Sequence, residues 1–224
     1  MFKLCDVNFM SNDMKIDVCS IETKLFEPSL VTHNNEFINA IEYFIEEIIK
    51  FESSGEVRNN SPFEDNAAVK AVNSYANMLS EKINNQDALQ VLDSLRHAFA
   101  AYAFNGLHQL YTRQENECWY PKIILNEVLT PNDIDSLPGI IRLYRGCSVN
   151  EYESRDYGQA WTTSIDRAKD FAYNHYQGQD WFNIEDRIVL ETKYSRNNVL
   201  FSDQSIEFEV VVDVSKLGKV NKYT

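Results

Sequence analysis

The residue pattern changes character once along the chain, near Trp119, and this change limits the fold more than any other feature. Between Asn34 and about Arg113, apolar residues recur every three or four positions, which is the spacing of amphipathic helices. Beyond Trp119, short runs of β-branched and aromatic residues alternate with polar turns, which is typical of strands. Helices followed by a mostly strand-built half indicate an α+β protein rather than alternating βαβ units.

Three helices are predicted in the first half. One covers residues 34–52, with Asn34 or Asn35 as its N-cap. The second has an apolar face that includes Val69 and Ile83, and the third begins near Gln86. Gly106 is expected to end or kink the third helix. This helical region, residues 1–118, precedes a second region, residues 119–224, and we expect the two to form one compact unit.

The second half is predicted to consist mainly of short strands. Because long crossovers are few, we expect antiparallel pairing, in two small sheets packed together as a β-sandwich. The predicted strands are residues 140–144, 160–164, 187–194, 198–201 and 206–214, with one helix at 165–176.

Charge and composition exclude several classes of protein. With 34 acidic against 21 basic residues, the formal net charge is −13, which disfavours a protein that coats nucleic acid or an anionic membrane. No stretch approaches the roughly 20 apolar residues that span a bilayer. Asp6 and Asp13 lie where a signal peptide needs an apolar run. The four cysteines form no CxxC or CxxH pattern, so we expect no metal site. Because no signal peptide is expected, we predict four free thiols and a cytoplasmic protein.

The first of three motifs that carry chemistry is LYRGC, residues 143–147. Arg145 lies at the end of a predicted strand and Gly146 follows it, so a guanidinium stands beside main chain that a ligand can approach closely. A guanidinium binds phosphate oxygens in pairs and keeps its charge. By itself, the motif is also explained by a surface arginine at a strand end.

The second motif is AWTTS, residues 160–164, which places three hydroxyls between an aromatic residue and a predicted helix. Ser164 is explained as the N-cap of that helix. Thr162 and Thr163 are either ordinary strand residues or hydroxyls that belong to a site.

The third motif is EFEVVV, residues 207–212. Strand alternation predicts Glu207 and Glu209 on one face and Phe208 on the other. Two like charges on one strand face are costly unless one of them is solvated or used in a site. The exposed start of a strand, with two solvated carboxylates, also explains this pattern.

In order and spacing, the three motifs resemble those of the mono-ADP-ribosyltransferase superfamily. The resemblance is to the branch whose motifs are Arg, Ser-Thr-Ser and Glu-x-Glu, found in bacterial toxins, phage enzymes and vertebrate ectoenzymes. It covers roughly residues 120–224, with Thr162 where the family usually has Ser. It implies an ADP-ribosyltransferase-like β-sandwich that binds NAD as a substrate and transfers ADP-ribose to a macromolecular acceptor, with release of nicotinamide.

The resemblance also implies how NAD is bound. Arg145 would bind a phosphate or ribose of NAD, and Gly146 would let main-chain groups approach the nicotinamide amide. Thr162 would hydrogen-bond and orient the catalytic acid. Thr163 and Ser164 would support the sheet and the NAD cleft.

Two glutamates would carry the catalysis that the resemblance implies. Glu209 would hold the ribose and stabilise the oxocarbenium-like transition state, because that state develops positive charge. Glu207 would activate the incoming acceptor, and the preceding segment, approximately residues 195–206, would contact it.

The identity of the acceptor stays open. Glu-x-Glu accompanies arginine acceptors in the family, so protein arginine is favoured, while nucleic acid is disfavoured mildly by the negative net charge. As a bacterial toxin or phage effector, the protein would also have an antitoxin or inhibitor protein as a candidate partner, and no membrane partner is expected. The alternatives are an NAD glycohydrolase, in which water replaces the acceptor, and a non-catalytic scaffold that binds a partner through its helical half.

Overall fold

The chain divides into a helical unit, Met1–Ile124, and a sheet-containing unit, Leu125–Thr224. The structure is a computed structural model that describes residues 2–56, 58, 64–115, 118–179 and 181–223. It is a mixed α+β protein, as predicted. The sequence-based boundary after residue 118 falls inside the first unit, because Ile123 pairs with Ile16 in an isolated β-bridge.

The first unit contains five α-helices within its described residues, and none of them is both long enough and apolar enough to cross a membrane. The three predicted helices are present as the last three of these. The first two were not predicted, because each is too short to show a clear apolar period. The helices are α1 (Leu4–Asn8), α2 (Val18–Leu25), α3 (Asn34–Ser53), α4 (Ala67–Ser80) and α5 (Gln86–Thr112), with a π-helical turn at Phe9–Asp13 and a 3₁₀ turn at Val31–His33.

The apolar stripes read from the sequence form the core of this unit. α4 packs against both α3 and α5. Phe44 of α3 and Phe99 of α5 are fully buried, with ring centroids 5.6 Å apart. The predicted asparagine cap of α3 is wrong, because His33 occupies the N-cap position and makes no side-chain capping bond.

α5 is kinked at Gly106, as the sequence predicted. Gly106 has a φ of +69°, in the left-handed region that glycine adopts readily. In a regular helix the amide of Gly106 would bond the carbonyl oxygen of Tyr102. That oxygen also accepts a hydrogen bond from Nη1 of Arg58 at 2.6 Å.

The strands of the second unit pair antiparallel throughout, as predicted. Their order across the sheet is β4-β5-β2-β1-β3-β6. The strands are β1 (Ile140–Ser148), β2 (Ala160–Thr162), β3 (Arg187–Ser195), β4 (Val199–Asp203), β5 (Glu209–Val212) and β6 (Asn221–Lys222). Between them lie α6 (Val149–Ser154), α7 (Ile165–Tyr173) and 3₁₀ turns at Ile134–Ser136, Ile184–Asp186, Arg196–Asn198 and Val214–Lys216.

The two predicted small sheets are not confirmed, because the described strands join into one six-stranded sheet. That sheet is unevenly connected. β1 and β3 pair at nine positions, whereas β1 and β2 pair, in the part of the chain that is described, at Tyr144 and Thr162 alone. The sheet therefore consists of two three-stranded halves, β4-β5-β2 and β1-β3-β6, which meet at one residue pair. We call this pair the joint.

The two faces of the sheet are covered differently. α7 packs on one face, where Ala168 and Ala172 lie against Tyr144 and Val189. The opposite face carries the larger apolar core of this unit, which includes Leu143, Trp161, Leu190, Val210 and Val212.

Candidate functional site

The three sequence motifs lie on three neighbouring strands. Arg145 and Gly146 are on β1, Thr162 is on β2 and Glu209 is on β5, and these strands are adjacent in the order β5-β2-β1. Thr162 stands directly opposite Tyr144 on one side and Glu209 on the other. Directly opposed residues of antiparallel strands share a face. The structure therefore brings Thr162 and Glu209 together, on the face where α7 packs.

Thr162 fixes the main chain that leads into Glu209. Its side chain is buried, and its hydroxyl donates a hydrogen bond to the carbonyl oxygen of Glu207 at 2.9 Å. The same hydroxyl accepts from the amide nitrogen of Ser164 at 3.0 Å. A buried hydroxyl is costly without partners, so these two bonds explain why this strand position carries a Thr.

Glu207 lies outside the strand that carries Glu209. β5 begins at Glu209, and Phe208 before it has a φ of +55°. This left-handed conformation costs a bulky residue roughly 1–2 kcal/mol. It interrupts the strand alternation, so the prediction that both glutamates share a strand face does not hold for Glu207. Glu207 and Phe208 are both exposed to solvent.

Three hydrogen bonds hold the carbonyl groups of residues 207–209, which we call the Glu-Phe-Glu segment. The first comes from the Thr162 hydroxyl, as described above. The second comes from the amide nitrogen of Thr163, which is 3.0 Å from the carbonyl oxygen of Phe208. The third comes from the side-chain amide of Gln204, which is 3.0 Å from the carbonyl oxygen of Glu209. These bonds hold Phe208 in its left-handed conformation.

The other two hydroxyls of the second motif have local partners. The Thr163 hydroxyl donates to Oε1 of Gln204 at 2.6 Å. The Ser164 hydroxyl accepts from the amide nitrogen of Arg167 at 3.3 Å and caps α7, as predicted. The Thr163 side chain therefore bonds the residue that follows β4, and the Ser164 side chain holds the start of α7.

The guanidinium of Arg145 is occupied by other protein groups. Its Nε and Nη2 donate to the carboxylate of Glu151 at 2.6 and 3.2 Å, and its Nη1 donates to the carbonyl oxygen of Ala160 at 2.5 Å. Strand alternation places its side chain on the same face as Leu143 and Cys147, away from Thr162 and Glu209. The side chain of Arg145 therefore does not lie on the sheet face that Thr162 and Glu209 share.

Glu151 is a residue of this site that the sequence analysis missed. A signal was present, because Ser148 followed three residues later by Glu151 is a capping-box pattern that predicts a helix start. The Ser148 hydroxyl does accept from the amide nitrogen of Glu151 at 3.1 Å. The carboxylate of Glu151 binds Arg145 and also accepts from the amide nitrogen of Gly158 at 3.1 Å.

Gly146 allows the close approach of α7. A Cβ atom at this position would overlap the carbonyl oxygen of Ala168 and the amide nitrogen of Ala172. Both are main-chain atoms of a helix and cannot move aside as a flexible side chain can. Close packing of helix on sheet thus accounts for this glycine.

Cys147, which ends the first motif, is expected to be unreactive in the folded protein. It is buried, and burial raises the pKa of its thiol to about 12. Because the thiolate is the reactive form, iodoacetamide at pH 8 should alkylate the exposed Cys5 and Cys19 and spare Cys147 until denaturant is added. Mass spectrometry of the digested protein measures this difference. Equal labelling of the three cysteines without denaturant would contradict the burial of Cys147.

Neither metal ligation nor similarity to known proteins narrows the function. Among the residues that the structure describes, no group of three or more His, Cys, Asp or Glu side chains could hold a metal ion. The chain matches no protein-family model, no curated protein and no solved structure. A function therefore has to be inferred from the motifs and their geometry.

Proposed function

We propose that the protein is an NAD-dependent mono-ADP-ribosyltransferase, which transfers ADP-ribose to a macromolecular acceptor and releases nicotinamide. The observation that supports this most is the placement of the three motifs on adjacent strands, where Thr162 lies directly opposite Glu209. The order of the motifs along the chain does not require them to be neighbours in the sheet. In this proposal the two halves of the sheet correspond to the two small sheets of an ADP-ribosyltransferase-like sandwich.

Glu209 carries the bond cleavage in this proposal. When the bond between nicotinamide and ribose breaks, its electron pair leaves with the nicotinamide nitrogen, and positive charge develops on the ribose. A carboxylate held beside the ribose stabilises that charge. The hydrogen bonds on the Glu-Phe-Glu segment supply the fixed placement that such stabilisation needs.

Glu207 activates the acceptor in this proposal. As the nucleophilic atom of the acceptor bonds to the ribose carbon, it loses a proton, and Glu207 is the group that takes it. An exposed carboxylate suits this role, since a macromolecular acceptor must arrive from solvent. The Glu-x-Glu pattern favours protein arginine as the acceptor.

NAD is held by the first two motifs in this proposal. Thr162, Thr163 and Ser164 maintain the cleft, and the main chain at Gly146 approaches the nicotinamide amide. Arg145 lies beside Ala160, beyond the joint between β1 and β2, and binds a phosphate there by exchanging the carboxylate of Glu151 for it. The exchange is possible because both anions fit the same pair of guanidinium donors.

This exchange predicts that substitutions of Arg145 and of Glu151 change NAD affinity in opposite directions. Arg145→Ala should weaken NAD binding at least about tenfold, because a charged hydrogen bond contributes about 1.5–3 kcal/mol. Glu151→Gln should strengthen NAD binding by up to about tenfold, because the competing charge is removed. Isothermal titration calorimetry on variants shown to be folded by circular dichroism measures both. Unchanged affinity in Glu151→Gln would contradict the exchange.

An assay with NAD labelled in the adenylate part tests the proposal and identifies the acceptor. The protein is incubated with labelled NAD and a cell lysate, nicotinamide is quantified, and the products are digested separately with protease and nuclease. Label released by protease supports a protein acceptor, and label released by nuclease supports nucleic acid. Nicotinamide release with label only in free ADP-ribose would indicate an NAD glycohydrolase. No nicotinamide release would contradict the proposal and favour a non-catalytic scaffold.

The setting that fits this activity is the cytoplasm of a target cell. A toxin or phage effector of this kind acts on host macromolecules, and an antitoxin or inhibitor protein is its natural counterpart. Binding to a membrane plays no part in the proposal.

A further inference from the structure

Gln204 connects several parts of the candidate site. It follows β4, and its main-chain nitrogen donates to Oδ2 of Asp133 at 2.7 Å. Its side-chain nitrogen donates to the carbonyl oxygen of Glu209 at 3.0 Å and to the hydroxyl of Ser202 at 3.1 Å. Its side-chain oxygen accepts from the Thr163 hydroxyl at 2.6 Å. One half-buried side chain therefore bonds the end of β4, the end of β2 and the start of β5.

We propose that Gln204 is a positioning residue that holds Glu209 where it can act on NAD. This inference rests on the proposed function, since it assumes that Glu209 acts on the ribose. Gln204 does not bind substrate in this proposal. It acts through the carbonyl group of Glu209 and through Thr163, whose amide holds the carbonyl group of Phe208.

The left-handed conformation of Phe208 explains why this position needs support. A bulky residue at a φ of +55° is strained, and such strain persists only where the surroundings enforce it. Without the bond from Gln204, the carbonyl group of Glu209 loses a partner and the start of β5 is less constrained. Relaxation of Phe208 toward an extended conformation would then turn the main chain on which the Glu209 side chain stands.

A second glutamine at the other end of β5 provides a matched control. The side-chain nitrogen of Gln159 donates to the carbonyl oxygens of Leu125 at 2.8 Å and Val212 at 3.2 Å. Its side-chain oxygen accepts from the amide nitrogen of Leu125 at 2.8 Å. Gln159 is also half-buried and makes three side-chain hydrogen bonds, as Gln204 does, but it bonds the end of β5 opposite to Glu209.

The test compares Gln204→Leu with Gln159→Leu in the full-length protein. Melting temperature is measured for both, together with kcat and KM for NAD from nicotinamide release. We expect similar losses in melting temperature. Gln204→Leu should lower kcat by about 10- to 100-fold with KM changed less than about twofold, because misplacement of a reacting group acts on the chemical step. Gln159→Leu should leave kcat and KM within about twofold of the wild type. Equal kcat in the two variants would overturn the inference.

A third variant, Gln204→Glu, distinguishes the hydrogen bond to Thr163 from the hydrogen bond to the carbonyl group of Glu209. It keeps an oxygen that can accept from Thr163, but an ionised carboxylate has no donor for the carbonyl group of Glu209. We expect kcat to fall as in Gln204→Leu, and this variant replaces Gln204→Leu if the latter does not fold. Wild-type kcat in Gln204→Glu would overturn the inference. Wild-type protein that releases no nicotinamide would contradict the proposed function itself, whereas an active wild type with unaffected Gln204 variants contradicts the positioning role alone.

Discussion

Replacement of Glu209 by Gln is expected to reduce nicotinamide release from NAD by a factor of several hundred. The substitution keeps the size of the side chain and removes the negative charge that stabilises the ribose cation. A loss of about 3–4 kcal/mol of transition-state stabilisation corresponds to a rate reduction of several hundred-fold. Release of nicotinamide is followed by chromatography, and transfer is followed by label bound to the acceptor. Both rates should fall together, because both follow cleavage of the same bond.

Glu207→Gln is the matched variant for this prediction. Glu207 is exposed and outside β5, so the substitution should leave the fold intact. Because Glu207 acts on the acceptor, transfer should fall while much of the slow hydrolysis of NAD continues. The reverse pattern, with hydrolysis lost in Glu207→Gln and spared in Glu209→Gln, would exchange the two roles. Full activity in both variants would remove the ADP-ribosyltransferase proposal.

Gly146→Ala is expected to lower the free energy of unfolding of the sheet-containing unit by about 2–3 kcal/mol. The added methyl group would overlap main-chain atoms of Ala168 and Ala172 in α7. To make room, α7 must move away from β1 and give up its packing on Tyr144 and Val189. Urea-induced unfolding, followed by circular dichroism, measures the change.

Gly178→Ala is the control for this stability prediction. A Cβ atom at Gly178 would meet no other atom within 4 Å, so the same chemical change meets no obstacle there. We expect a difference of less than about 0.5 kcal/mol from the wild type. Equal urea midpoints for the two alanine variants would show that α7 does not pack closely enough on Gly146 to exclude a methyl group.

The helices and most strands could be predicted from local periodicity, because burial on one face leaves a repeating pattern. α3 and α4 follow their apolar stripes, and β3 follows its run of β-branched residues. The start of β5 could not be predicted in this way. The strand pattern continues through Glu207, but Phe208 takes a left-handed conformation because residues from β2 and from the end of β4 bond its neighbours. The bond from Thr162 spans 45 residues, so it leaves no local pattern in the sequence.

The candidate site was also predictable only in part. The order of the motifs was visible in the sequence, and so were the residue types that the chemistry requires. Of the partners of Arg145, Ala160 was not visible, because it lies in another strand and its position beside Arg145 depends on the joint. Gln204 carries no local signal at all, since a glutamine between Asp203 and Ser205 is ordinary in a polar connection.

The joint also has a consequence for how this unit is assembled during synthesis. Of the five connections between consecutive strands that the structure describes, four pass from one half of the sheet to the other, namely β1–β2, β2–β3, β3–β4 and β5–β6. Neither half is therefore a contiguous stretch of chain, and pairing of this kind is slow because it joins distant residues. A nascent chain that ends before residue 209 lacks both β5 and β6, so it has neither half complete and no carboxylate opposite Thr162.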